Sequence, residues 1–189
     1  MNFDKKSHRR KLIRLRHYDY SQSGAYFITI CAQNRECLFG DIIDGEMQLN
    51  KLGELTELEW IKSIELRPDM NLELGNFVVM PNHFHGILII GENKFNAPST
   101  DAMHRVSTAP NDTINKFGPQ SKNLASILRG FKSAITTQAK KMGIHDFAWQ
   151  TRFHDHIIRD AQSFENIQNY IANNPANWGK DTFNNTTNV

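Results

Sequence analysis

The run Phe77-Val78-Val79-Met80-Pro81-Asn82-His83-Phe84-His85-Gly86-Ile87-Leu88-Ile89-Ile90 constrains the fold more than any other part of the chain. Its β-branched and aromatic content predicts strand, and a strand sends alternate side chains to opposite faces. His83 and His85 therefore share a face with Ile87 and Ile89, while Phe84, Leu88 and Ile90 point the other way. Two imidazoles side by side in apolar surroundings are costly unless something binds them. Neutral imidazole is the commonest protein metal ligand, so the pair predicts a divalent metal.

The remaining strands and helices surround that run. Tyr26-Phe27-Ile28-Thr29-Ile30-Cys31 follows Gly24 and reads as a strand, and residues 36–49 read as short strands about an Asp44-Gly45 turn. Leu52, Leu55, Leu58, Ile61 and Ile64 recur at helical intervals from Lys51 to Arg67, where Pro68 ends the helix. Strands are expected at about 73–80 and 83–90, either as a hairpin or as one strand bent at Pro81. A helix from about Ser121 to Met142 buries Leu124, Ile127, Leu128, Phe131 and Ile135 and stops at Gly143. A strand over Phe153–Arg159 precedes a last helix, about Gln162 to Asn173, with Phe164, Ile167 and Ile171 inward.

This alternation predicts one α+β domain over residues 1–189. It carries a basic arm at 1–17, a flexible insertion loop at 91–120 rich in Asn, Ser, Thr and Pro, and a polar tail at 177–189. No apolar run approaches the roughly 18 residues that span a membrane, and Met1–Arg16 lacks the apolar stretch of a secretory signal. Cys31 and Cys37 match no zinc or redox spacing, which suits reduced thiols in a cytoplasmic protein.

Charge adds a class of partner. The net charge is +2, yet residues 1–16 alone sum to +6 and the rest of the chain to −4. Arg9, Arg10, Arg14 and Arg16 in that arm suit a polyanion such as nucleic acid. At about 100° per residue, Lys122, Arg129, Lys132 and Lys140 gather in one arc of the long helix, away from its apolar stripe. A phosphate-contacting face there would extend the arm.

The last helix supplies the chemistry. Tyr170 and Asn174 stand four residues apart, one turn, flanking the inward stripe. Two imidazoles and the Asn174 amide oxygen can hold a divalent ion and leave positions open for a phosphate oxygen, with the Tyr170 phenol beside it. His154 and His156 form a second His-x-His pair, whose role is structural hydrogen bonding or contact with DNA.

Met80-Pro81-Asn82-His83-Phe84-His85-Gly86, Trp149-Gln150, Phe153-His154-Asp155-His156 and Tyr170-Ile171-Ala172-Asn173-Asn174-Pro175 occur in that order, after Tyr18-Asp19-Tyr20 and Gly24–Cys31. In this combination the chain resembles the REP-associated tyrosine transposases, a branch of the single-tyrosine HUH transposases. The resemblance implies a ferredoxin-like antiparallel β-sheet with helices packed on one face, forming the HUH endonuclease domain. It implies His83 and His85 as metal ligands, Asn174 as the third, polar ligand, and Tyr170 as the nucleophile. The implied substrate is single-stranded DNA carrying hairpins (REP-like palindromes), cut and rejoined through a 5′-phosphotyrosine. Mg²⁺ or Mn²⁺ would serve as cofactor, the two imidazoles favouring Mn²⁺ in vitro. Such a protein would act as a monomer or homodimer in the bacterial cytoplasm, nucleoid-associated when bound to DNA. The rivals are a catalytically silent hairpin-DNA-binding regulator on the same fold and a zinc hydrolase built on both His-x-His pairs.

Overall fold

The structure is a computed structural model that describes residues 18–97 and 121–184. The arm residues Arg9, Arg10, Arg14 and Arg16 lie outside them, as does most of the 91–120 loop. In chain order the main elements are β1 (Gly24–Cys31), β2 (Gly40–Ile43), β3 (Glu46–Leu49), α1 (Lys51–Glu65), β4 (Leu72–Val79), β5 (His83–Ile90), α2 (Leu124–Lys141), β6 (His154–Ile158) and α3 (Ala161–Asn173). The short pair β2–β3 turns at Asp44-Gly45, where φ is 53° and 81°. Both angles match the mirror-image turn that an Asp-Gly pair favours.

Four strands form one sheet in the order β4-β5-β1-β6, every neighbouring pair antiparallel. With α1 between β1 and β4, and α2 between β5 and β6, this is the βαββαβ arrangement of the ferredoxin-like fold. Pro81 resolves the ambiguity left by the sequence: β4 and β5 are a hairpin joined through Met80-Pro81-Asn82, closed by the Met80 amide donating to the His83 carbonyl at 2.8 Å. Proline has no N–H to give a ladder, so the chain turns there.

Two apolar clusters lie on opposite faces of the sheet. The larger joins Tyr26, Ile28, Ile30, Phe84, Leu88 and Ile90 to Leu52 and Trp60 of α1 and to Leu124, Ile127, Leu128, Phe131 and Ile135 of α2. Phe84 is its hinge, with its ring 4.8 Å from Trp60 and 5.3 Å from Phe131. The smaller cluster sets Ile87 and Ile158 against Ile171 of α3, with Phe27, Phe164 and Ile167 packed around them. The pair α1 and α2 thus covers one face, and α3 crosses the other, which carries the histidines.

Helix α1 forms where its apolar spacing predicts, but it buries a different side. Leu52, Thr56, Trp60 and Ser63 face inward, while Leu58, Ile61 and Ile64 are 48%, 45% and 37% exposed. A spacing of three falls about 60° short of a full turn at each step, so the row winds off the buried side within two turns.

Helix α2 keeps its whole apolar stripe buried. It starts later than its sequence suggests because Asn123 is the N-cap: its side chain accepts from the Ser126 amide at 3.0 Å, and Ser126 reciprocates toward the Asn123 amide at 3.1 Å. Removing such a cap costs about 1 kcal/mol. Asn123→Ala is therefore expected to lower the melting temperature by roughly 2–4 °C, read by circular dichroism.

Candidate metal and nucleophile site

Strand β5 is central in the sheet, so its histidine face is walled on both sides by strands. Across β1, Cys31 stands opposite His83 and Thr29 opposite His85. The two imidazoles are 0% and 1% exposed, their centroids 4.5 Å apart. Burial disfavours the charged ring, and it pushes the pKa of His83 well below 6.5 and that of His85 to about 3. Both rings are neutral at physiological pH, the state in which imidazole binds metal.

Each ring is oriented through its Nδ1. The Asn82 carboxamide donates from Nδ2 to the carbonyls of Arg35 and Phe183, at 3.1 and 2.8 Å, which fixes which end of the amide is nitrogen. Its Oδ1 must then accept from His83 Nδ1, 2.8 Å away. The His83 proton therefore sits on Nδ1, and Nε2 presents a bare lone pair. His85 Nδ1 is 2.8 Å from the Thr29 hydroxyl, which holds its Nε2 toward α3.

Asp160 caps α3, accepting from the Ser163 amide at 2.7 Å, and the Ile171 stripe seats the helix on Ile87 and Ile158. Tyr170 precedes Ile171, so it lies beside that contact rather than in it. Its hydroxyl is 3.3 Å from His85 Nε2, its ring meets Phe27 edge-on at 6.0 Å, and it is 45% exposed. Its pKa is raised, first by burial and then by the nearby Asp181 charge, while hydrogen bonding with Asn174 pulls it partly back. Asn174, where α3 ends, is 3% exposed, and its buried Oδ1 has no hydrogen-bond partner.

Sequence reasoning missed Asp181. A short 3₁₀ helix, Pro175–Lys180, leads the chain back over the histidines. The His83 ring lies 4.7 Å from Phe183 and 6.1 Å from Trp178, and the Arg35 guanidinium covers Phe183 at 5.0 Å. This places Asp181 Oδ2 3.9 Å from His83 Nε2. Among the described residues, His83, His85 and Asp181 form the group that could hold a metal ion, their donor atoms within 4.8 Å of one another. The signal available was aromatic: Trp178 and Phe183 are apolar anchors in an otherwise polar tail.

The orphaned atoms test whether a metal fits. His83 Nε2, Asp181 Oδ2 and Asn174 Oδ1 are all buried acceptors without a hydrogen-bond partner. Buried polar atoms are almost always paired, and acceptors clustered without donors suit a cation. Two imidazoles and a carboxylate form a donor set that Mn²⁺ tolerates well.

His154 and His156 do not join this group. They lie on the same face, in rows with Thr29 and Phe27, but on the exposed edge strand β6. Two strand spacings separate His154 from His85, about 10 Å. Nor do Lys122, Arg129, Lys132 and Lys140 form one free arc. Lys122 precedes the α2 cap and pairs with Asp69, and the Lys132 ammonium, its pKa lowered by burial, donates to the Gln150 carbonyl. Arg129 is exposed on α2. Among the described residues, no helix is long and apolar enough to cross a membrane.

The low histidine pKa values give a pH prediction. The unfolded chain takes up protons near pH 6.5 and the folded one only near 3, so this contribution is complete above pH 6.5 and drains away as pH falls toward 3. For His85 the gap is worth on the order of 5 kcal/mol at about 1.4 kcal/mol per pH unit. Melts in EDTA are expected to show a steep loss of stability across that window. His85→Gln, which cannot titrate, should show a visibly shallower one.

No family model matches the chain. A Haemophilus influenzae protein without an assigned activity is 40% identical over 174 residues, which cover 92% of each chain. Among solved structures, a REP-associated tyrosine transposase bound to a REP hairpin superposes with a TM-score of 0.54 at 21% identity, over 88% of this chain and 74% of its own. A Deinococcus radiodurans chain provisionally named as a transposase aligns at a TM-score of 0.40 and 16% identity, over 85% of this chain and 95% of its own.

Proposed function

We propose, for a chain that belongs to one family with its Haemophilus influenzae relative and shares the fold of a REP-associated tyrosine transposase, that it cuts and rejoins single-stranded DNA at hairpin elements through Tyr170. The observation that carries this reading is the Tyr170 hydroxyl, half-exposed and 3.3 Å from Nε2 of a buried neutral histidine. A phenol poised against one of two adjacent buried imidazoles suits a nucleophile beside a metal centre.

His83 and His85, with Asn174, would hold Mg²⁺ or Mn²⁺. When bound, the ion supplies Lewis-acid polarisation of a phosphate oxygen and offsets developing charge. The chain's own residues do the rest. Phe27 and the Ile171 contact fix α3, and so the phenol, over the histidine face. Burial and the Asp181 charge keep Tyr170 protonated at neutral pH, while hydrogen bonding with Asn174 favours its ionised form. Attack by the phenolic oxygen on phosphorus forms an O–P bond and breaks the bond to the 3′ oxygen. The phenolic proton leaves to solvent and the departing oxygen takes one up, giving a 5′-phosphotyrosine and a free 3′-hydroxyl. One phosphodiester replaces another, so a second 3′-hydroxyl can reverse the step without external energy. Arg129, with Arg9, Arg10, Arg14 and Arg16 of the arm, would supply backbone contacts to the DNA, Lys122 and Lys132 being engaged by Asp69 and the Gln150 carbonyl.

The test uses end-labelled single-stranded hairpins from the flanks of the protein's own gene, incubated with Mn²⁺ or with EDTA. A Mn²⁺-dependent protein–DNA adduct that survives denaturation is expected. Hairpin binding with neither cleavage nor adduct would instead assign the chain to the silent regulators.

A further inference from the structure

We propose that Asp181 gives an anionic oxygen to the same divalent ion as His83 and His85, so that the C-terminal segment Pro175–Asn184 is held down by the metal. The inference rests on the metal-dependent reading above and extends it from the strand to the tail.

Three observations carry it. The first is the fixed tautomer: because Asn82 can only accept from His83 Nδ1, the bare Nε2 lone pair points at Asp181 Oδ2, 3.9 Å off. That is too long for a hydrogen bond, and both atoms are buried acceptors with no hydrogen-bond partner. Two lone pairs confronted in a dry site repel unless a cation lies between them. Metal–ligand bonds of about 2.1 Å span up to about 4.2 Å between donors.

The second is burial. The His83 and Asp181 side chains are 0% and 5% exposed, so water does not screen the confrontation. The third is that one amide serves both partners. Asn82 orients His83 through Oδ1 and holds the Phe183 carbonyl through Nδ2, two residues past Asp181. Arg35 adds a 3.1 Å bond to the Thr182 carbonyl. Docking of the segment and loading of the ion therefore share residues at both ends and are thermodynamically linked: each favours the other by the same factor.

The experiment measures binding rather than turnover. Full-length protein is titrated with Mn²⁺, free ion being read by electron paramagnetic resonance, and hydrogen exchange of residues 175–184 is followed with and without the ion. In the wild type, Mn²⁺ is expected to slow exchange in that segment by about tenfold. Asp181→Asn, nearly isosteric, is expected to weaken Mn²⁺ binding about tenfold or more and to abolish the ion-dependent protection. Lys180→Ala, an exposed neighbour, should change neither. Wild-type exchange indifferent to Mn²⁺, or Asp181→Asn binding within twofold of wild type, overturns the proposal whatever the variant's stability. His83→Ala separates the two levels. If it loses Mn²⁺ while Asp181→Asn keeps it, only the Asp181 assignment falls. If neither substitution weakens binding, the two-histidine metal site falls as well.

Discussion

Tyr170→Phe is expected to abolish the denaturation-resistant DNA adduct and to cut strand cleavage by on the order of 10³-fold or more, while the protein still binds hairpin DNA and melts normally. The reason lies in what the hydroxyl touches. It meets His85 Nε2 and hydrogen-bonds with Asn174, from a ring that is 45% exposed and seated beside the Ile171 contact instead of within it. Phenylalanine keeps the edge-on packing against Phe27 and loses only the hydroxyl oxygen proposed as the nucleophile. Folding stability should move by no more than about 0.5 kcal/mol, the usual range for a surface site. Retained cleavage in this variant would assign the chemistry to an activated water at the metal and remove the covalent mechanism.

Phe84→Ala is the second large effect, and it acts on the fold. Phe84 sits between the two histidines in sequence but on the opposite face of β5, fully buried among Trp60, Phe131 and Phe77. Truncating a core phenylalanine costs about 3–5 kcal/mol in lost transfer energy and residual cavity. For a chain this long, that corresponds to a melting temperature lower by on the order of 10 °C. The same change loosens the strand that carries both imidazoles, so Mn²⁺ affinity should fall with it. A melt within 2 °C of wild type would mean that Trp60 and Phe131 close the gap unaided, a relaxation of roughly the whole expected effect.

The period-two pattern around His83 and His85 was legible because a strand's side-chain alternation needs no tertiary information. The four-residue spacing of Tyr170 and Asn174 is likewise local, and it brings the two side chains into hydrogen-bonding reach at the end of α3. What the sequence hid depends on long-range packing. Leu58, Ile61 and Ile64 look like a core stripe, but helix α1 buries the side bearing Trp60, since a bulky ring facing Phe84 and Phe131 outweighs scattered leucines. Asp181 sits in a stretch with no periodicity. Its place is set by Phe183 and Trp178 finding the His83 ring, and by a single Asn82 amide reaching across 101 residues to Phe183. The basic arc misleads for a related reason: charge periodicity shows where a lysine starts, not that Asp69 or a backbone carbonyl waits within reach.

One consequence of the two-sided sheet concerns how such a protein can change over generations. Residues of β1 and β5 alternate between a face filled by α1 and α2 and a face devoted to His83, His85 and α3. Substitutions on the first face act on the site only through folding and the shared strands, as at Phe84, whereas those on the second also reach it directly. Lineages can therefore alter the histidine face while the side packed by α1 and α2 persists. A silenced copy would keep its Phe84 side intact long after its His85 side had drifted.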